Sequence, residues 1–333
     1  MKQFIALAVS AMVLSTASVA ETSSASYAVQ QRHVLGGTGK WDYLTFDAAS
    51  HRLYIARGNR VMVMDAQTGQ LIGEVPGANG AHRVVIVANQ HRGYVSNGHT
   101  DSVMPFDLTT LKAQPAIAVS GKDPDGMLYD NATARLWAFN GHSNSVSLID
   151  PATNKETGTV ALPGKPEFGV TDDVGHIYVN LEDRSQIAEI DARAGKVIAT
   201  WPLAPCEGPT GLAIDVAHHR LFSVCANQHM VILDATDGHQ VAALTIGDDP
   251  DAAGYDPGTA SAFSSNSDGT LTIVHQIDAD HYAVATNLAT AQGARTLAVD
   301  PDAHRVFLAA PNVTAPGKTS AQSGFGVLVI GTH

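Results

Sequence analysis

Short apolar runs, each followed by a polar turn, recur along almost the whole chain. Residues 52–56 form one such run, and residues 61–65 form the next, which closes on an aspartate. The aspartates that close the equivalent runs follow one another at steps of 42, 43, 41 and 43 residues: Asp65, Asp107, Asp150, Asp191 and Asp234. A second series has steps of 42, 43, 41 and 44 residues: Asp130, Asp172, Asp215, Asp256 and Asp300. A regular period that contains four short β-rich runs indicates a repeat of four-stranded antiparallel units.

The number of copies predicts the architecture. The first strand of each copy begins near one of seven positions: Asp42, His82, Asp125, Glu167, Thr210, Asp251 and Arg295. We therefore predict an all-β fold, a seven-bladed β-propeller of four-stranded blades, in which residues 21–333 form a single domain. The seventh copy has only three strands of its own. Residues 27–35 resemble the fourth strand of the first copy, residues 71–75 before Pro76-Gly77, so we expect this N-terminal strand to complete the last blade and close the ring.

The first twenty residues have the pattern of a signal peptide. Lys2 provides a positive start, residues 4–13 are apolar but too short to span a bilayer, and Ser18-Val19-Ala20 fits a cleavage site. We predict cleavage after Ala20 and a periplasmic or secreted protein. No later apolar run is long enough to span a membrane.

Charge narrows the range of partners. Only 16% of the residues are charged, the formal net charge is −12, and lysines and arginines do not cluster. This excludes the basic footprint of nucleic-acid binding and gives no reason to expect attraction to anionic lipid. The acidic balance favours cationic partners.

The repeat alignment also predicts where a ligand binds. Strand-entry residues of successive propeller blades surround the mouth of the central channel, and they differ here in charge and shape although their positions are equivalent. A second set follows the second strand of several copies: Asn97, His99, Asn140, His142, Asn180, Glu182, Cys225, Asn227 and Asn266. The predicted ligand-binding residues are Asp42, His82, Arg83, Asp125, Asn140, Glu167, Asn180, Thr210, Asp251 and Arg295, all on the channel face rather than the sides or the opposite face. Asp125 and Glu167 are the strongest candidates, with Asn140 and Asn180 as neighbouring oxygen donors.

The chemistry of this set suggests a cation. Carboxylates held close together repel one another, which raises their pKa unless a cation is present. Carboxylate and amide oxygens suit Ca²⁺, whereas histidine with carboxylates suits Zn²⁺. The alternative is a solvated rim whose acids accept hydrogen bonds from turns and bind nothing. No catalytic residue is assigned, because the chain lacks a G-x-S-x-G nucleophile elbow and a Cys-x-x-Cys motif.

The two cysteines are expected to form a disulfide. Cys206 precedes the first strand of the fifth copy, and Cys225 ends its second strand, so antiparallel pairing returns both to the same face. An exported protein with two cysteines commonly pairs them. Two buried free thiols, or Cys225 as a metal ligand, are the alternatives.

Several repeat segments carry a resemblance to a known family. Leu53-Tyr54-Ile55-Ala56, Tyr94-Val95-Ser96-Asn97-Gly98 and Ile177-Tyr178-Val179-Asn180 are followed by strands that end in aspartate. This pattern resembles the YVTN β-propeller repeat family, in particular its YncE-like periplasmic members. The resemblance implies a binding protein whose channel face takes a small ligand, a peptide or a partner protein. Because the same architecture hosts lactonases and quinoprotein subunits, a metal-dependent hydrolase and an accessory subunit of a periplasmic redox system remain alternatives.

Overall fold

The computed structural model describes residues 26–332 and consists almost entirely of short strands. The signal peptide predicted for residues 1–20 lies outside this range. The strands are β1 Tyr27–Val34, β2 Leu44–Asp47, β3 Arg52–Ala56, β4 Gly58–Asp65, β5 Leu71–Val87, β6 Arg92–Asn97, β7 Ser102–Asp107, β8 Ile117–Ala118, β9 Pro124–Asp130, β10 Arg135–Asn140, β11 Ser145–Asp150, β12 Lys155–Ala161, β13 Pro166–Thr171, β14 His176–Leu181, β15 Gln186–Asp191, β16 Lys196–Pro202, β17 Pro209–Asp215, β18 Arg220–Cys225, β19 His229–Asp234, β20 Gln240–Thr245, β21 Pro250–Asp256, β22 Ser261–Asn266, β23 Thr270–Gln276, β24 Tyr282–Ala289, β25 Thr296–Asp300, β26 Arg305–Val313 and β27 Gly324–Thr332. Short 3-10 turns lie at Ala88–Gln90, Gly98–Thr100, Glu182–Arg184 and Ser320–Gln322. Over the described range, no helix is long and apolar enough to cross a membrane.

The strands pair into antiparallel sheets that follow the sequence repeat. Strands β9–β12, β13–β16, β17–β20 and β21–β24 each form a four-stranded sheet in chain order. The last sheet has the order β1-β27-β26-β25, with Tyr27 opposite Thr332 and Val34 opposite Gly326. The expected pairing of the N-terminal strand with the end of the chain is therefore confirmed.

The first two copies share one strand. Strands β2–β8 form a seven-stranded sheet, because β5 pairs with β4 over its first half and with β6 over its second half. Pro76-Gly77 does not end the strand as the sequence suggested. Gly77 and Gly80 instead adopt φ angles of 88° and 70°, a backbone conformation that strains residues with a Cβ, and they redirect the strand from one half to the other.

Apolar side chains pack between successive sheets all the way around the molecule. Val146 of β11 and Val179 of β14 belong to one buried cluster, and Ile55 of β3 and Phe307 of β26 belong to the cluster that joins the first sheet to the last. The strands nearest the centre also contact one another in a cycle: β2, β5, β9, β13, β17, β21, β25 and again β2. The chain is a β-propeller with a central channel.

Candidate functional site

The strand-entry residues lie together at one end of the channel, here called the mouth. Four of them directly follow a proline that begins an inner strand: Asp125, Glu167, Thr210 and Asp251. Proline has no N–H to donate to the ladder, so it fits the first position of a strand, and the pairing register shifts across the residue that follows each of these prolines. His82 lies within β5, and Asp42 and Arg295 lie just before β2 and β25.

His82 occupies the middle of an acidic group at the mouth. Its Nδ1 lies 2.6 Å from Oδ2 of Asp42 and 3.5 Å from Oδ1 of Asp125, and its Nε2 lies 3.8 Å from Oδ1 of Asp123. Burial alone would lower the pKa of His82, but the hydrogen bond with Asp42 and the charges of Asp125, Asp42 and Asp123 raise it to about 9. One potential ligand atom from each of Asp42, His82 and Asp125 lies within 4.8 Å of the others, a spacing that a single metal ion can bridge.

Two further carboxylates of the mouth have cationic neighbours. Glu167 lies 3.4 Å from Nζ of Lys165, which also pairs with Glu182, and Asp251 lies 2.9 Å from Nε of Arg295. Burial raises the pKa of Asp125 and of Asp251 to about 7, and it also raises the pKa of Glu167. Acidic neighbours add to each of these shifts, so the mouth holds more negative charge than its own cations balance.

The two asparagines predicted as ligands have buried side chains. Asn180 is fully buried; it donates to the carbonyl oxygens of Thr210 and Gly211 and accepts from Ser223. Asn140 is also fully buried and donates to two serine hydroxyls, beneath Gly121, where a Cβ would overlap it. Interior hydrogen bonds occupy the amide of Asn180 and the amide nitrogen of Asn140, whereas Oδ1 of Asn140 is buried without a hydrogen-bond partner among the described residues. That both asparagines supply oxygen ligands beside Asp125 and Glu167 stays a prediction.

Asn180 and Asn140 are not equivalent residues. Asn140 lies opposite Pro124, whereas Leu181, one residue after Asn180, lies opposite Pro166. Asn180 instead belongs with Ser96 and Ser265. Each of these side chains donates a hydrogen bond to the carbonyl of the strand-entry residue in the next copy: Thr210, Asp125 and Arg295, respectively. This position links neighbouring blades.

Thr210 also has a structural role. Its hydroxyl donates to the carbonyl of Pro250 at 2.8 Å, and Thr296 makes the same kind of link to the carbonyl of Asp42 at 3.1 Å. The other members of the second set mostly bond within their loops: the side chain of Asn227 joins Pro205 and Glu207, and His99 lies 3.3 Å from Asn79. Within this second set, only His142 and Glu182 contact charged residues at the mouth: His142 lies beside Asp123, and Glu182 pairs with Lys165.

Arg83 lies deeper in the channel than predicted. Its guanidinium donates to the carbonyl of Leu44 at 3.1 Å and lies 4.9 Å from the ring centroid of Phe168 and 5.6 Å from that of Tyr43. The two rings are 4.9 Å apart. Tyr43, Arg83 and Phe168 together form a floor beneath the mouth.

The sequence contained a signal for this floor. Each of the three residues directly follows a strand-entry residue, and the other copies have smaller residues at that position: Gly126, Gly211, Ala252 and Thr296. Alternate residues of a strand point to opposite sides, but every inner strand twists and tilts against the channel, so spacing alone did not reveal that these side chains meet.

A large cavity lies on the far side of the floor. Its volume is about 740 Å³, and it is lined by inner-strand residues together with the first turns of several copies, around Asp47, Asn89 and Asn131. A second cavity of about 270 Å³ shares Arg83 and Phe168 with it. We call the larger cavity the lower chamber; it opens at the face opposite the mouth.

The predicted disulfide is confirmed. Cys206 and Cys225 are bonded, with their Cα atoms 5.4 Å apart, and both are buried. The bond ties the loop before β17 to the end of β18, close to the mouth. Cys225 is therefore not a metal ligand.

Comparisons with known proteins bear on the fold. No family model matches the chain, and no curated protein matches it. Many solved structures do match, among them a chain of hydrazine synthase from Kuenenia stuttgartiensis. That chain is 16% identical over 88% of this chain and 99% of its own length, with a TM-score of 0.74. At this level of identity the likeness extends to the propeller fold and no further.

Proposed function

We propose that this chain is an exported binding protein of the YVTN repeat type that takes a divalent cation at its channel mouth. The observation that carries the proposal is the convergence of Asp42, His82 and Asp125, with ligand atoms within 4.8 Å of one another, in a mouth that also contains Glu167 and Asp251. A bound cation would offset the repulsion among these carboxylates.

The proposal includes a seven-bladed ring. The five four-stranded sheets account for five blades, and the seven-stranded sheet supplies two more if β5 serves as the last strand of one and the first strand of the next. The cyclic contacts of the inner strands and the regular sequence period support this count.

Export is supported by two independent features. The N-terminal residues have the order of a signal peptide, and the Cys206–Cys225 bond is of a kind that persists in oxidising compartments. The periplasm is therefore the proposed location, in agreement with the YncE-like repeat segments.

The donor set favours zinc over calcium. Calcium sites are built from six to eight oxygen ligands, and amide oxygens commonly contribute. Asn140 and Asn180 are fully buried, so one imidazole and carboxylates form the accessible donor set. Zinc accepts three or four such ligands in a tetrahedral arrangement.

Metal titration of chelator-treated protein tests the proposal. We expect Zn²⁺ to raise the melting temperature of the parent more than Ca²⁺ does, and to bind with a one-to-one stoichiometry by calorimetry. The double variant Asp42→Asn/Asp125→Asn should lose the response. The matched control is Asp237→Asn/His239→Gln, which disrupts a second, more exposed Asp-Asp-His group at Asp234, Asp237 and His239. A parent without saturable Zn²⁺ binding, or a mouth variant that binds Zn²⁺ like the parent, would refute the site.

A metal-dependent hydrolase is the second candidate. Three protein ligands with one free position are the arrangement of catalytic zinc sites, and Asp42, His82 and Asp125 provide three. Zinc-loaded protein should then hydrolyse simple lactones, and Asp125→Asn should abolish the activity. If the protein binds zinc but does not hydrolyse lactones, the proposed binding function stands and the hydrolase is excluded. A role as an accessory redox subunit would instead be detected by co-purification with a cytochrome or dehydrogenase.

A further inference from the structure

The lower chamber has the size and lining of a small-molecule site. Its volume of about 740 Å³ falls in the range of ligand pockets, which are commonly 300–1,000 Å³ and mainly apolar. Phe46, Tyr129, Val170 and Ile214 contribute apolar surface from four different inner strands. The turns around Asp47, Asn89 and Asn131 give it a polar rim.

A single cation lies at the inner end of this apolar wall. Arg83 lines both the lower chamber and the smaller cavity beside it. Among the residues that the structure describes, its only hydrogen bond from the guanidinium goes to the carbonyl of Leu44, and its buried Nε has no partner. Within the described range, its Nη2 also has no hydrogen-bond partner and, unlike Nε, is not enclosed, so Nη2 is the donor that a ligand in the lower chamber can reach.

Arg83 is also not neutralised by an ion pair. Its Cζ lies 4.9 Å from the ring centroid of Phe168 and 5.6 Å from that of Tyr43, and Asp42 at the mouth is hydrogen-bonded to His82 instead. A guanidinium stays protonated in proteins at neutral pH. The lower chamber thus combines a long apolar wall with one uncompensated positive charge.

We propose that the lower chamber binds an elongated amphipathic carboxylate, with its carboxylate on Arg83 and its apolar chain directed towards the rim. Carboxylate and guanidinium form charge-assisted hydrogen bonds, and the unpaired Nη2 of Arg83 offers such a donor. The chamber walls cover the chain. This site lies below the floor, so it is separate from the proposed cation site at the mouth and does not depend on it.

Calorimetry with decanoate tests the assignment. We expect saturable one-to-one binding to the parent, and at least tenfold weaker binding to Arg83→Gln. The matched control is Arg193→Gln, an exposed arginine that donates to the carbonyl of Val174 outside the lower chamber; it should bind decanoate like the parent. The neutral analogue 1-decanol should bind the parent at least tenfold more weakly than decanoate, and it should not distinguish the parent from Arg83→Gln.

A second variant locates the apolar chain independently of Arg83. Val170→Trp places a large ring in the lower chamber and should abolish decanoate binding while Arg83 stays in place. Absence of saturable binding to the parent would overturn the proposal. The proposal would also be overturned if Arg83→Gln bound decanoate as tightly as the parent does, or, where Arg83→Gln does not fold, if Val170→Trp did so. Equal affinity of the parent for decanol and decanoate would overturn it as well.

Discussion

At the scale of single residues, the aspartates divide into two groups with opposite environments. Asp65, Asp107 and Asp150 end strands and accept hydrogen bonds from the following turn, which lower the pKa of each. Backbone amides contribute most at Asp65 and Asp107, whereas at Asp150 the hydroxyl of Thr153 contributes most and the amide of Ala152 adds to it. Asp125 and Asp251 lie at the mouth, where burial raises the pKa to about 7. The periodic acids therefore build the turns, and the acids that differ from copy to copy are those available to a ligand.

A pH-dependent penalty is expected at Asp251. Its pKa is about 7 in the folded protein and near 3.8 without burial, so the folded state holds the proton more tightly, and stability falls as pH rises from about 4 to 7. Asp251→Asn removes this loss. In the presence of chelator, the free energy of unfolding of Asp251→Asn relative to that of the parent should rise by on the order of 1 kcal/mol between pH 5 and pH 8. This is well below the free energy that corresponds to the whole pKa shift, because the Asp251 side chain is still 19% exposed.

Urea unfolding at the two pH values measures the difference. Asp302→Asn, an exposed change outside the channel, should differ from the parent equally at both values. If the gap between Asp251→Asn and the parent does not widen with pH, the acid is ionised at little cost and the mouth is better solvated than its geometry indicates.

At the scale of elements, the sequence predicted most strands and missed how two of them join. Apolar runs that end in aspartate predicted Arg52–Ala56 and the strands ending at Asp150 and Asp234. Pro76-Gly77 is an ordinary turn signal, and only the φ angles of the glycines show that β5 continues past it. At the site, the strand-entry residues were found because the repeat fixes their position. The sequence pattern aligned Asn180 with Asn140, but the two differ by one position in strand register, which the repeat spacing does not resolve.

The disulfide stabilises one element pair and can be tested directly. Cys206 and Cys225 are 19 residues apart, and closing a loop of this length stabilises a protein by about 3 kcal/mol in the chain-entropy model. Cys206→Ala/Cys225→Ala should lose about that much in urea unfolding. Parent protein kept in dithiothreitol should fall to the same level. A double variant as stable as the oxidised parent would show that the bond contributes nothing.

At the scale of the whole molecule, β1 closes the ring. It pairs with β27, and Tyr27 packs at 5.4 Å against Phe263, on the neighbouring sheet. A protein that begins at residue 36 would expose the edge of β27 and remove Tyr27 from the core. We expect its melting temperature to fall by on the order of 10 °C relative to a protein that begins at residue 26, with loss of stability throughout the ring.

Two measurements check this prediction. Hydrogen exchange should accelerate in β13–β16 as well as in β25–β27, and a synthetic peptide of residues 26–35 added to the shortened protein should restore part of the lost stability. An unchanged melting temperature, or exchange that accelerates only beside β27, would contradict a closing role for β1.

The pairing of β1 with β27 also imposes an order in time. The strand that leaves the ribosome first among the described residues must wait for the strand that leaves last, about 300 residues later. Intermediate sheets can form as they appear, but the ring stays open until β27 has been synthesised, since contacts of such large sequence separation form late. A chain with this topology is still incompletely folded while β27 is awaited, the condition in which a polypeptide can be threaded through a narrow translocation pore.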